Sequence, residues 1–151
     1  MKQGKLYGVG VGPGDPELMT QKAVRIIQES DVIAVPKGGT GEQTALNIAA
    51  DFIREKPVLH CEMPMTRDQK VLDTCHEQAA DIICAQLDAG KNVAFLTIGD
   101  PAIYSTYWYV HRRVAARGYG VEIVPGIPSF CAAAARLGQA LCEGSQMLHI
   151  I

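Results

Sequence analysis

Short apolar runs alternate with longer segments of helical spacing along almost the whole chain, and this alternation limits the fold more than any other feature. Residues 5–11, 31–36, 57–61, 92–97 and 121–124 read as strands, and the stretches between them repeat apolar residues every three or four positions. A strand followed by a helix and another strand implies a crossover connection and therefore parallel pairing. The runs do not alternate polar with apolar, as expected for strands covered on both faces. The predicted class is α/β: an open, mostly parallel five-stranded sheet with helices on both faces.

The helices follow from their spacing. Ala23, Ile26 and Ile27 mark one face over 20–29, and Ala45, Ile48, Ala49 and Phe52 mark another over 42–54. The longest helix spans 70–89, with Leu72, Ala79, Ile82, Ile83 and Leu87 on its buried face and Gly90 as its stop. Residues 37–41 (KGGTG) read as a loop, and 62–68 as an irregular connection containing Pro64. Asp100 is the expected N-cap of a helix whose first residue is Pro101 and which runs to about Arg117. An alanine-rich helix covers 129–137. Residues 147–151 (MLHII) look like the first residues of a strand with nothing after it to pair with. The expected organisation is an N-terminal α/β domain over 1–124, then a linker and the start of a truncated second α/β domain over 125–151.

Composition removes several function classes. The net charge of −2 argues against a general nucleic-acid binder. No apolar stretch reaches the roughly 20 residues that span a bilayer, and the start MKQGK lacks the pattern of a secretory signal, so the expected location is the cytoplasm. The five cysteines are odd in number and none is spaced Cys-x-x-Cys, which predicts small buried thiols rather than disulfides or zinc ligands. The four histidines are scattered, and no metal site is assigned.

Three small-residue turns close successive strands, where ligands collect in open parallel sheets. They are 8–15 (GVGVGPGD), 98–101 (IGDP) and 125–130 (PGIPSF). The first matches neither Gly-x-Gly-x-x-Gly nor a Walker A loop, and its glycines fit a tight turn as well as a ligand contact. No nucleophilic triad and no acid–base carboxylate pair is visible. Their absence fits a reaction whose electrophile arrives activated, methyl transfer from a sulfonium among them.

Taken in order, residues 8–20 (GVGVGPGDPELMT), 99–105 (GDPAIYS) and 125–130 resemble the corrin and porphyrin methylases, which use S-adenosylmethionine. Residues 63–68 (MPMTRD), 104–107 (YSTY) and 129–138 (SFCAAAARLG) are most similar to the branch that methylates C-20 of precorrin-2 or cobalt-factor II in cobalamin synthesis. The resemblance implies two α/β domains with S-adenosylmethionine between them, a tetrapyrrole substrate and a homodimer. It implies cofactor contacts at Pro13, Ile98, Gly99, Asp100, Ile103, Ser129 and Phe130. A polycarboxylate substrate needs cationic partners, so Arg67 is the first candidate and Lys37 the second. Asp15 either approaches the tetrapyrrole or caps its own turn. Tyr104 either faces the substrate plane or packs, as does Tyr107, and Arg112, Arg113 and Arg117 read as surface charges. Methylation of another ring position, or a binding domain without turnover, is the alternative reading.

Overall fold

The computed structural model describes residues 2–38 and 41–151. Five strands build one sheet: β1 (Lys5–Gly10), β2 (Val32–Lys37), β3 (Val58–Glu62), β4 (Val93–Thr97) and β5 (Gly120–Val124). Their order across the sheet is β3-β2-β4-β1-β5, and every pairing is parallel. Five α-helices separate or follow them: α1 (Gln21–Glu29), α2 (Gly41–Ile53), α3 (Gln69–Asp88), α4 (Tyr107–Ala116) and α5 (Ser129–Leu137). The expected α/β class and five strands are present, and the sheet is wholly parallel.

The helices sort onto the two faces by their apolar stripes. Ala23, Ile26 and Ile27 of α1 and Ala45, Ile48 and Ala49 of α2 pack with Val9, Ile33, Val35 and Leu96 on one face. Ala79, Ala80, Ile83 and Leu87 of α3, with Tyr107, Val110 and Val114 of α4, pack with Leu6, Ala34 and Phe95 on the other. The Thr20 hydroxyl caps α1 by accepting from the Ala23 N–H at 3.0 Å, and Asp68 caps α3 by accepting from the Lys70 and Val71 N–H groups. Arg113 and Arg117 tie α4 to α3: Arg113 reaches Glu77 at 2.8 Å and Asp73 at 3.3 Å, while Arg117 reaches Glu77 at 2.6 Å and Asp81 at 2.8 Å. They brace two helices and are more than the plain surface charges expected.

Several local expectations need correction. Residues 101–106 are not helical, and α4 starts at Tyr107. The Asp100 carboxylate accepts from the N–H of Ala102, two residues on, which closes a turn in place of a helix start. Ile82 is exposed, because it lies one step outside the stripe formed by His76, Ala79, Ile83 and Leu87. Cys61 and Cys84 are buried, whereas Cys131 and Cys142 are exposed and Cys75 lies between. Lys37 ends β2 and Gly41 opens α2; Gly39 and Thr40 of the expected loop lie outside the described residues. Residues 147–151 form no strand, since no described strand runs beside them to accept their backbone hydrogen bonds, and Met147 is 81% exposed.

Gly8 is a packing requirement. A Cβ there would sit 2.1 Å from the Tyr107 ring, which is wholly buried against β1. Gly8→Ala is expected to cost about 1–3 kcal/mol in urea unfolding, with a less than additive loss when Tyr107→Leu is combined with it; strict additivity would contradict the contact. On the opposite face of the same strand pair, Glu122 accepts from Lys22 and Lys5, and these bonds hold its carboxyl down at about 2 against an ordinary 4.5. A depressed pKa contributes stability above pH 4.5 that disappears as pH falls towards 2. The melting temperature of Glu122→Gln is therefore expected to fall less than that of the parent across that window.

Candidate functional site

The strand order creates a crevice. β1 and β4 are neighbours, yet the chain leaves β1 towards α1 on one face and leaves β4 towards α4 on the other. Adjacent strands whose connections depart to opposite faces open a cleft at their carboxyl ends, where ligands bind in such sheets. The first and second small-residue turns meet at this point. Gly12 and Gly99 form an isolated antiparallel bridge, with the Gly99 N–H donating to the Gly12 carbonyl at 2.8 Å and the return bond at 3.3 Å. Gly12 has φ +80° and Gly99 φ +67°, a region open to glycine and strained for other residues.

The third turn closes onto the same place. The Gly126 N–H donates to the Asp100 carboxylate at 2.9 Å, while Ala102 donates to its other oxygen at 2.8 Å. Gly10, Gly99 and Gly126 approach so closely that a Cβ on Gly10 would lie 2.5 Å from the Gly99 carbonyl, and one on Gly126 would lie 2.1 Å from it. Ile98, Gly99, Asp100, Ile103, Ser129 and Phe130, the residues selected from sequence, line one cavity of about 100 Å³ together with Pro128. A pocket that encloses a drug-sized ligand holds roughly 300–1,000 Å³, so these residues form a wall and not an enclosure.

The remaining candidates scatter around that wall. Pro13 follows the bridging Gly12 and does not line the cavity. Asp15 accepts from the Glu17 N–H at 2.9 Å and caps the short 3-10 turn Pro16–Leu18, the plainer of its two expected roles. Tyr104 is 78% exposed and holds φ +50° beside a second cavity of about 210 Å³ that shares Ile98 and Ile103 with the first. Thr97 and Ser105 join across the floor of that second cavity at 3.0 Å. Lys37 pairs with Glu62 at 2.8 Å. Arg67 lies away from the glycine turns, in a third cavity of about 430 Å³. That cavity shares Thr106 with the second, so the three run in series along the carboxyl edge of the sheet.

Sequence reasoning missed Pro128, the Thr97–Ser105 pair and His76. The signal for His76 was available: it falls on the buried stripe of α3, three residues before Ala79, where a polar side chain is out of place. Tyr107 proves to be core packing, the second of its two expected roles.

Asp100 holds the second and third turns together, so its removal tests whether the wall depends on it. Asp100→Ala leaves the Gly126 and Ala102 N–H groups without their acceptor, at an expected cost of about 1–3 kcal/mol. Hydrogen exchange at Gly126 should accelerate. Unchanged protection there would rule out the linking role.

Against known proteins, residues 5–151 match the sequence profile of the Tetrapyrrole (Corrin/Porphyrin) Methylases. The chain is 36% identical to the cobalt-precorrin-2 C(20)-methyltransferase of Salmonella typhimurium, over 98% of this chain and 63% of that protein. It is 40% identical to the probable cobalt-precorrin-2 C(20)-methyltransferase of Methanocaldococcus jannaschii, over 97% and 63%. Cobalamin biosynthesis protein CobIJ of Mycobacterium tuberculosis is 39% identical over 99% of this chain and 31% of its own length. The chain thus spans under two thirds of the length of these relatives. Among solved structures, the cobalt precorrin-4 methyltransferase CbiF superposes with a TM-score of 0.74 at 28% identity, over 93% of this chain and 53% of that one. A profile match over nearly the whole chain, on a fold shared with a solved member, places this protein among the tetrapyrrole (corrin/porphyrin) methylases.

Proposed function

We propose that the protein transfers a methyl group from S-adenosylmethionine to C-20 of precorrin-2 or its cobalt-containing form during cobalamin synthesis. The observation that carries this reading is the meeting of three strand-end turns at Gly12, Gly99 and Gly126. They make a wall of backbone and small side chains against which a long thin ligand can lie. Gly99 supports this reading, because a Cβ there would stand 3.6 Å from Pro128 Cα and 3.8 Å from the Ile127 carbonyl and take up space along the wall. When bound, S-adenosylmethionine supplies a methyl carbon already activated by its sulfonium. The residues of this chain then need to bind, orient and keep water out.

In this reading Ile98, Gly99, Asp100 and Ile103 hold the cofactor from one side, and Ser129 and Phe130 from the other. Pro13 stiffens the opening turn beside them. Arg67 and Tyr104 face the acceptor, and Asp15 shapes the turn beside it. The Thermus thermophilus uroporphyrin-III C-methyltransferase, which has this fold with a TM-score of 0.65, was solved with S-adenosyl homocysteine. The C-20 assignment is supported by three relatives named for that position at 32–40% identity over 97–98% of this chain, against 32% and 30% over 90% and 87% for two named for C(11). We read 1–124 as the first domain and 125–151 as the entry to a second, because α5 buries no residue and the relatives are longer. The second domain supplies the facing wall. We also read the protein as a cytoplasmic homodimer; five free cysteines suit a reducing compartment, and exposed Leu137, Met147 and Leu148 suit contact with further protein.

Calorimetric titration with S-adenosylhomocysteine tests the cofactor reading. Binding is expected in the chain extended to the length of its relatives, with at least a tenfold loss, about 1.4 kcal/mol, in Gly99→Val. Absence of binding in both the present and the extended chain would sink the reading.

A further inference from the structure

The cavity of about 430 Å³ between the 63–67 segment, α3 and α4 contains a polar group with no partner. His76 lines it, is only 3% exposed and stacks on Tyr109 at 4.5 Å with the rings 4° from parallel. Its Nδ1 is sealed from solvent and makes no hydrogen bond, and neither ring nitrogen has a partner among the described residues. Nδ1 is therefore out of reach of any occupant of the cavity, and the nitrogen that can meet one is Nε2, which is unpaired and not sealed.

Arg67 lines the same cavity, and it too has no ion pair or hydrogen bond among the described residues. The carboxylates around it are engaged elsewhere. Asp68 caps α3, Glu62 pairs with Lys37, and Asp73, Glu77 and Asp81 bind Arg113 and Arg117. The rest of the wall is largely apolar, from Met63, Leu72 and Tyr109, with the Thr106 hydroxyl on the side facing the glycine turns. An exposed, unpaired guanidinium at the rim and an unpaired imidazole Nε2 within the largely apolar recess suit a planar anion on an alkyl stem. A carboxylate takes two parallel bonds from arginine and one more from an imidazole N–H. Burial, with a contribution from the Arg113 charge, pushes the His76 pKa below its ordinary value, which keeps the ring neutral with one nitrogen to donate and one to accept.

We propose that this recess receives one carboxylate arm of the methyl acceptor, held by Arg67 and His76, and so sets which edge of the acceptor faces the glycine turns. The inference rests on the tetrapyrrole reading above and adds a named anchor to it. His76 is on this account a binding residue.

The test uses the extended chain and two probes: uroporphyrin III, a tetrapyrrole with eight carboxylate arms, and its octa-amide, with the same ring and neutral arms. Arg67→Gln and His76→Phe are each expected to weaken binding of the octa-acid about tenfold. The octa-amide should bind all three proteins equally, and S-adenosylhomocysteine affinity should not change. Arg67 is exposed, so its variant reports even if His76→Phe folds poorly, and His76→Gln supplies a second replacement. NMR signals of the His76 ring should move on adding the octa-acid and stay fixed on adding the amide. Equal octa-acid affinity in the parent and both Arg67 and His76 variants, or an unmoved His76 ring at saturation, would overturn the anchor and leave the methyltransferase reading standing. Failure of the parent to bind the octa-acid at all would remove the anchor and the acceptor class together, while cofactor binding would still be judged by its own titration.

Discussion

The contact on which the site depends is backbone against backbone, where Gly12 and Gly99 exchange two hydrogen bonds beyond the ends of β1 and β4. Both glycines hold a positive φ that other residues adopt only with strain, and the Cβ positions at Gly10 and Gly126 are already occupied by neighbouring main chain. Parallel sheets ordinarily let their strand ends diverge into separate loops. Here the bridge, together with the Asp100 carboxylate that takes the Gly126 N–H, gathers three loops into one rigid surface. The glycines that open the chain thus act less as a loop that wraps a ligand than as a removal of bulk that lets the strand ends touch.

How much of this was legible in the sequence depends on the range of the interaction. The strands and three of the helices followed from apolar spacing, because burial against a two-sided sheet imposes that spacing directly. The cofactor-side wall was legible through resemblance, and the structure brings Ile98, Gly99, Asp100, Ile103, Ser129 and Phe130 around one cavity. The start of α4 was misread because Asp-Pro is a good helix opening by local rules, whereas the Asp100 side chain is held by a residue 26 positions away. Ile82 was misread because an apolar residue near the edge of a stripe looks like part of it. The sequence ranks Arg67 above Lys37 by the chemistry of the guanidinium alone; only the fold shows that Lys37 is matched by Glu62 across the β2–β3 pair.

The facing surfaces of α3 and α4 combine an ionic and an aromatic contact. Arg113 and Arg117 meet Asp73, Glu77 and Asp81 in a shared network. His76, which falls between Asp73 and Glu77 in the chain, stacks instead on Tyr109, and its Nδ1 goes unanswered. Exposed ion pairs individually contribute little. Their value here is geometric, since they fix how α4 lies on α3 beside the His76–Tyr109 stack.

The strand order carries a consequence for how the chain comes together. β1 is made first but pairs only with β4 and β5, so Leu6 must await Val93 on one side and Val121 on the other. β2 and β3 can pair as soon as both exist, with no help from the first strand. Contacts between such distant residues make folding slow, because loop-closure entropy is lost before the pairing compensates for it. During synthesis β1 therefore waits for a partner while residues 11–92 follow it. The crevice between β1 and β4 is accordingly among the last parts of the sheet to exist.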